Sequence, residues 1–191
     1  LCSTLVLKNP DVVTQDNDQI ASTKRLSISR LSVADASFIL KLLNEPSFIQ
    51  FIGDREVRTE DDARKYLAEG PLNSYEKNGF GLFRVSSVGT HDPLGICGLV
   101  KRSELPHPDL GFAFLQTQWS NGYALESSRA VLQYAASELD FLRVIAIVNA
   151  DNSASIRLID KLGFNFEKMV RMTGETEEIC QYTIALQGDC R

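Results

Sequence analysis

Leu110-Gly111-Phe112-Ala113-Phe114-Leu115 leads through Gln116 and Thr117 into Gln118-Trp119-Ser120-Asn121-Gly122-Tyr123-Ala124, and the chain then runs helically to the apolar stretch 141–148. The first six residues read as a strand. The next seven form a polar loop with a single glycine. Leu125, Ser128, Leu132, Ala135 and Leu139 follow at alternating spacings of three and four, the spacing of one buried helical face. Residues 141–148 are almost wholly apolar, interrupted only by Arg143, as in a parallel strand covered on both faces. Strand, helix and parallel strand make a right-handed crossover. The helix begins just inside the loop, so its first amides lack intrahelical partners and lie at the positive end of the macrodipole. Such a loop suits an anion such as a pyrophosphate, with Gly122 allowing close backbone approach and Ala124 adding little bulk. Small residues at this place also serve as turn chemistry alone.

Bulk properties narrow the classes. The 191 residues suit one domain able to bury a core without disulfide or metal support. Twenty basic against 25 acidic residues give a formal net charge of -5, which argues against broad nucleic-acid or anionic-membrane binding. No apolar run reaches the roughly 18 residues that a membrane span needs. Cys2, Cys97, Cys180 and Cys190 have neither C-x-x-C nor Cys/His spacing, so they indicate no zinc site and read as reduced thiols in a cytoplasmic protein.

Along the chain, residues 1–22 read as a mobile lead-in, with Leu5-Val6-Leu7 available as a short edge strand. Residues 25–31 alternate as a strand. Ser32-Val33-Ala34-Asp35 and Thr59-Glu60-Asp61-Asp62 are capping boxes, each ahead of a helix, the first stopping near Pro46. Residues 80–88 and 94–101 form a hairpin around Gly89-Thr90-His91-Asp92-Pro93. After 141–148, Asn152 and Ser153 can each cap a helix that buries Ile156, Ile159 and Leu162 and stops at Gly163. Residues 164–172 and 179–186 close as antiparallel strands around Thr173-Gly174-Glu175-Thr176.

Four pieces occur in order: Lys24-Arg25-Leu26, Asp109-Leu110-Gly111-Phe112, Gly122-Tyr123-Ala124-Leu125-Glu126, and Asn152-x-x-Ser155 leading to Lys161-Leu162-Gly163-Phe164. Together, over about residues 24–186, they resemble the GNAT superfamily of acetyl-CoA-dependent N-acetyltransferases, and particularly its ribosomal-protein N-terminal (RimJ/RimL-like) branch. Two departures stand out. Trp119 lies where the superfamily generally has Arg or Gln, although a tryptophan there resembles this branch, and Ser120 lies where this branch usually has a glycine.

The resemblance implies an α/β (α+β) fold: one domain over 23–187, with a central mixed, mostly antiparallel six- to seven-stranded sheet, a splayed parallel strand pair and helices on both faces. It implies acetyl-CoA as donor. The pantetheine arm would lie along Ala113 and Phe114, and the diphosphate on the loop residues Trp119, Ser120, Asn121, Gly122, Tyr123 and Ala124. Asn152 would hydrogen-bond the arm, and Ser155 would give the departing thiolate its proton. Glu167, which follows Gly163-Phe164 where related enzymes carry a glutamate, is the implied base, with Glu104 and Asp109 as competing carboxylates. Glu126 reads as a complement to the helix dipole, Tyr182 as packing, and residues 48–58 as part of the acceptor side. The acceptor is a primary amine on a peptide N-terminus or a small molecule. A non-catalytic acyl-CoA-binding module of the same fold stays open, as does a homodimer through uncovered strand edges.

Overall fold

The computed structural model describes residues 18–172 and 178–186. The Leu5-Val6-Leu7 strand, the turn at 173–176, Cys2 and Cys190 lie outside the described residues. Eight strands form one sheet in the order β1-β2-β3-β4-β5-β6-β8-β7. They are β1 (Gln19–Ser22), β2 (Leu26–Arg30), β3 (Leu82–Ser87), β4 (Pro93–Val100), β5 (Asp109–Phe114), β6 (Arg143–Val148), β7 (Asn165–Arg171) and β8 (Glu178–Ala185). The expected six or seven strands become eight because β1 joins the edge inside the stretch read as lead-in, pairing antiparallel with β2. Four residues are too short to carry a periodic signal.

The helices are α1 (Ala36–Leu43), α2 (Pro46–Ile52), α3 (Glu60–Leu67), α4 (Asn73–Asn78), α5 (Tyr123–Ser137) and α6 (Ser153–Leu162). Both capping boxes form. Ser32 accepts from Ala34 N–H while Asp35 accepts from Ser32 N–H, and Thr59 and Asp62 exchange the equivalent bonds. Pro46 does end the first helix, and then opens α2, where its missing N–H costs nothing. α4 follows a wide turn at Ala68–Leu72 that buries Pro71, and the Gly70-Pro71 pair hid this helix from a reading based on periodicity.

Two apolar layers hold the sheet. Ile39, Leu42 and Leu43 of α1 pack with Ala63 and Leu67 of α3 against Ile96 and Leu115 on one face. On the other, Val131, Leu132 and Ala135 of α5 and Ile159 of α6 cover Cys97, Leu99, Leu110, Val144, Ala146 and Tyr182. The buried face of α5 centres on Ser127, Ser128, Val131, Leu132 and Ala135, with Leu125 and Leu139 flanking it half-buried. Phe83, fully buried, stacks on Tyr75 and meets Tyr134 edge-on at 5.9 Å.

The sheet is antiparallel throughout except where β5 meets β6, and that pair shares register only at Asp109 and Ile145. Beyond this point β6 pairs along its whole length with β8, and β5 with β4. The two strands therefore part toward their carboxyl ends.

Candidate active site

The wedge between β5 and β6 has its apex at Asp109. Ile145 N–H donates to Pro108 O at 2.9 Å there, and on the other edge of β5 Leu115 N–H donates to Leu94 O at 3.1 Å. Backbone groups alternate sides along a strand. Residues 111, 113 and 115 thus turn their N–H and C=O toward β4, while Phe112 and Phe114 turn theirs into the wedge, as Ile147 does from the opposite wall. Of the two residues expected along the arm, Phe114 offers its backbone N–H, its carbonyl being engaged by Trp119; Ala113 offers only its place between the two phenylalanines, its side chain packing toward α1 and α3. Gly95 lets this wall close tightly, since a Cβ there would lie 2.4 Å from Ala113 O and 2.5 Å from the Phe114 ring.

At the open end of the wedge β5 turns into the loop. Trp119 donates its indole N–H to Phe114 O at 3.0 Å, so the residue standing where Arg or Gln is usual ties the loop to the strand wall. Ser120 (φ 63°) and Gly122 (φ 79°) are both left-handed. Gly122 is the N-cap of α5, and no side chain caps that helix. The contrast with α3 and α6, capped by Thr59 and Asn152, is physical: the longest helix in the described residues leaves its first amides open.

The other flank of this helix start is tied down. Arg25 donates Nε (2.8 Å) and Nη2 to Glu126 Oε2, and Nη1 to Asn121 O at 3.1 Å. Its guanidinium carbon lies 4.8 Å from the centroid of the Tyr123 ring. Thr23 Oγ1 donates to the second carboxylate oxygen of Glu126. Burial pushes Glu126 upward, but the bonds from Thr23 and Arg25 outweigh it and hold the carboxyl below its ordinary value. Glu126 therefore has two partners besides the dipole it was expected to complement. The Arg25–Glu126 contact spans 101 residues, which no local pattern in the sequence announces.

On the far side of the wedge, Asn152 and not Ser153 caps α6, its side chain accepting from Ser155 N–H at 3.1 Å. Ser153 has become the first helical residue and accepts from Arg157. Ser155 sits half-buried in the first turn, and its hydroxyl has no hydrogen-bond partner among the described residues. Asn152 and Ser155 thus stand at the carboxyl end of β6 as the loop stands at that of β5.

The three carboxylates differ. Glu167 is exposed on β7 at a register shift between Phe166 and Lys168, and its Oε2 accepts from Nε2 of Gln181, a 2 % exposed residue of β8. Sequence reading did not single out Gln181. Asp109 is buried at the apex, where Arg102 Nε donates to it at 2.9 Å; burial raises its carboxyl and Arg102 opposes the rise without cancelling it. It holds the strand junction and is poorly placed to take up a proton from a ligand in the open wedge. Glu104 is exposed on the β4–β5 connection and accepts from Ser103 Oγ. Tyr182 packs into the core beneath α5 and α6, as expected. A cleft of about 630 Å³ lies on the β4 side of the loop, between Lys41, Asp92, Gln118 and Tyr123, and shares the loop with the wedge without being part of it.

These features fit a thioester cofactor with a diphosphate. Uncapped amides behind left-handed residues suit the anion, an unpaired strand edge suits an amide-bearing arm, and a Cβ on Gly122 would meet only Arg25 Nη2, at 3.6 Å.

Comparison with known proteins agrees. Residues 25–165 match the family described as Acetyltransferase (GNAT) domain. The chain is 33% identical over 154 residues to the uncharacterized protein YkkB of Bacillus subtilis (strain 168), covering 78% of this chain and 87% of that one. Among solved structures, RimL, a ribosomal L7/L12 alpha-N-protein acetyltransferase in complex with coenzyme A, superposes with a TM-score of 0.78 at 14% identity, covering 90% of this chain and all of that one (100%). Spermidine N-acetyltransferase from Vibrio cholerae, in complex with CoA and spermine, gives 0.71 at 16% identity, covering 87% of this chain and 98% of that one. At such identities both likenesses concern the fold, and they span two acceptor classes. Splayed strands, an uncapped helix start and a family match over most of the chain converge: the protein belongs to the GNAT family of acetyltransferases.

Proposed function

We propose that the protein transfers an acetyl group from acetyl-CoA to the α-amine of a peptide, as in the RimJ/RimL-like branch, by direct attack in a ternary complex in the cytoplasm. The wedge carries this reading, because its free strand edge leads to open helix amides. Amides of Ser120 to Ala124, with Trp119 behind them, hold the diphosphate. The arm runs along 112–114 past Ala113 and Phe114, and Asn152, whose side-chain oxygen is engaged in capping, offers its amide N–H groups to it.

The bound thioester supplies an activated acetyl carbonyl. The amine forms the new C–N bond as the C–S bond breaks, one proton leaving the nitrogen and one reaching the thiolate. Glu167, fixed by Gln181, accepts the first, and Ser155 donates the second. An α-amine, with a pKa of about 8, is partly neutral near pH 7, whereas a lysine or polyamine nitrogen near 10 is not, so a single exposed carboxylate suffices for the former. α2 supports a peptide acceptor. It is tied to the end of β5 by Glu45, which accepts from Gln116 N–H at 3.4 Å, and it exposes Ile49 and Ile52, an apolar rim suited to the residue behind a peptide N-terminus.

The test is release of free CoA from acetyl-CoA across a panel of peptides and small amines. Turnover with peptide α-amines exceeding that with polyamines supports the proposal. Silence across the panel with cofactor bound would favour a non-catalytic acyl-CoA-binding module.

A further inference from the structure

Arg25 grips the start of α5 from one side. The helix lies between the β1–β2 edge, where Arg25 sits, and α6, which carries Asn152 and Ser155. A cation at a helix amino terminus opposes the macrodipole, so its presence needs a reason. Glu126 balances the charge. What remains is geometry. In a planar trans peptide the C=O and the following N–H point in opposite directions. With Asn121 C=O held toward Arg25 Nη1 at 3.1 Å, Gly122 N–H is aimed away from Arg25, toward the wedge and α6.

We propose that Arg25 is a positioning residue for the cofactor diphosphate: by holding Asn121 C=O and Glu126 together it turns the 121–122 peptide so that Gly122 N–H converges with the open amides of Tyr123 and Ala124. Neither the chain's charge pattern nor its family motif requires this role, which rests on the acetyl-CoA reading above. The fork shape matters, because one guanidinium reaches a carboxylate and a carbonyl at once while a lysine ammonium on a longer, flexible stem holds a single point. Thr23, bonded to the other oxygen of Glu126, keeps the carboxylate from rotating out of the clamp.

The experiment measures CoA by calorimetry and pantetheine, which lacks the diphosphate, as a competitor of acetyl-CoA, in the full chain and in Arg25→Gln, Arg25→Lys and Glu126→Gln. Loss of one well-placed charge-assisted bond predicts CoA binding weakened about tenfold or more in all three, with pantetheine competition unchanged. Arg25→Lys keeps charge and packing and serves if Arg25→Gln does not fold. Equal losses for CoA and pantetheine would make Arg25 merely structural and overturn the proposal. So would tighter CoA binding in Glu126→Gln, the mark of an arginine freed to meet phosphate directly, or wild-type affinity in Arg25→Lys. Wild-type protein that does not bind CoA would overturn the acetyl-CoA reading and this inference with it.

Discussion

Ser120 holds a left-handed conformation, φ 63°, where related loops use glycine. That costs a non-glycine residue roughly 1–2 kcal/mol. Ser120→Gly removes the cost but adds about 0.5–1 kcal/mol of unfolded-chain entropy, so a net gain of up to about 1.5 kcal/mol is expected. Urea unfolding checks it, and a lower midpoint would contradict the strain. Asn152 separates two roles in one side chain. Asn152→Asp keeps the oxygen that caps α6 and loses the amide N–H groups, so stability should hold while CoA affinity falls; Asn152→Ala should lose both, with about 1 kcal/mol of stability. Unchanged CoA binding in Asn152→Asp would leave the residue as a cap only. For Glu167→Gln a fall in kcat of about tenfold, with the KM for acetyl-CoA unchanged, is expected of a base acting on a partly neutral amine. At this scale the loop residues were legible because their neighbours in sequence are their neighbours in space. Arg25 and Gln181 were not, since their partners come from distant strands and helices.

Elements with local signals read well. The capping boxes at Ser32 and Thr59 sit where their sequence places them, because donor and acceptor are three residues apart. The same logic left the cap of α6 open between Asn152 and Ser153, two adjacent cap-forming side chains being indistinguishable until the helix is in register. β1 and α4 escaped, one too short for periodicity and one behind Gly70-Pro71. The junction of β5 and β6 yields an element-scale prediction. Asp109 is an acid whose folded carboxyl lies above its ordinary value of 3.8, so folding favours its protonated form. Its contribution to stability therefore falls as pH rises from about 3.8 through the raised value and is flat above. Asp109→Asn should remove that slope and cost little stability at neutral pH. Urea midpoints of both proteins followed from acid pH to neutrality give the difference; parallel curves would contradict it.

For the molecule as a whole, the order of strand, loop, helix and apolar strand placed the crossover correctly, while the rest of the sheet was an expectation from the resemblance to the family. What order alone could not convey is how far the two parallel strands stay together: β6 pairs along its far edge with β8, while its near edge meets β5 only at Asp109 and Ile145. That partition creates the wedge, and the whole functional account rests on it. Amide hydrogen exchange with and without acetyl-CoA tests it directly. Ala113 should be protected in both states, through its ladder with β4, while Phe112 and Phe114 exchange fast in the free protein and slow on addition of acetyl-CoA together with Gly122, Tyr123 and Ala124. Phe112 and Phe114 as protected as Ala113 before any ligand is added, or cofactor-induced protection confined to residues outside the wedge, would contradict the account.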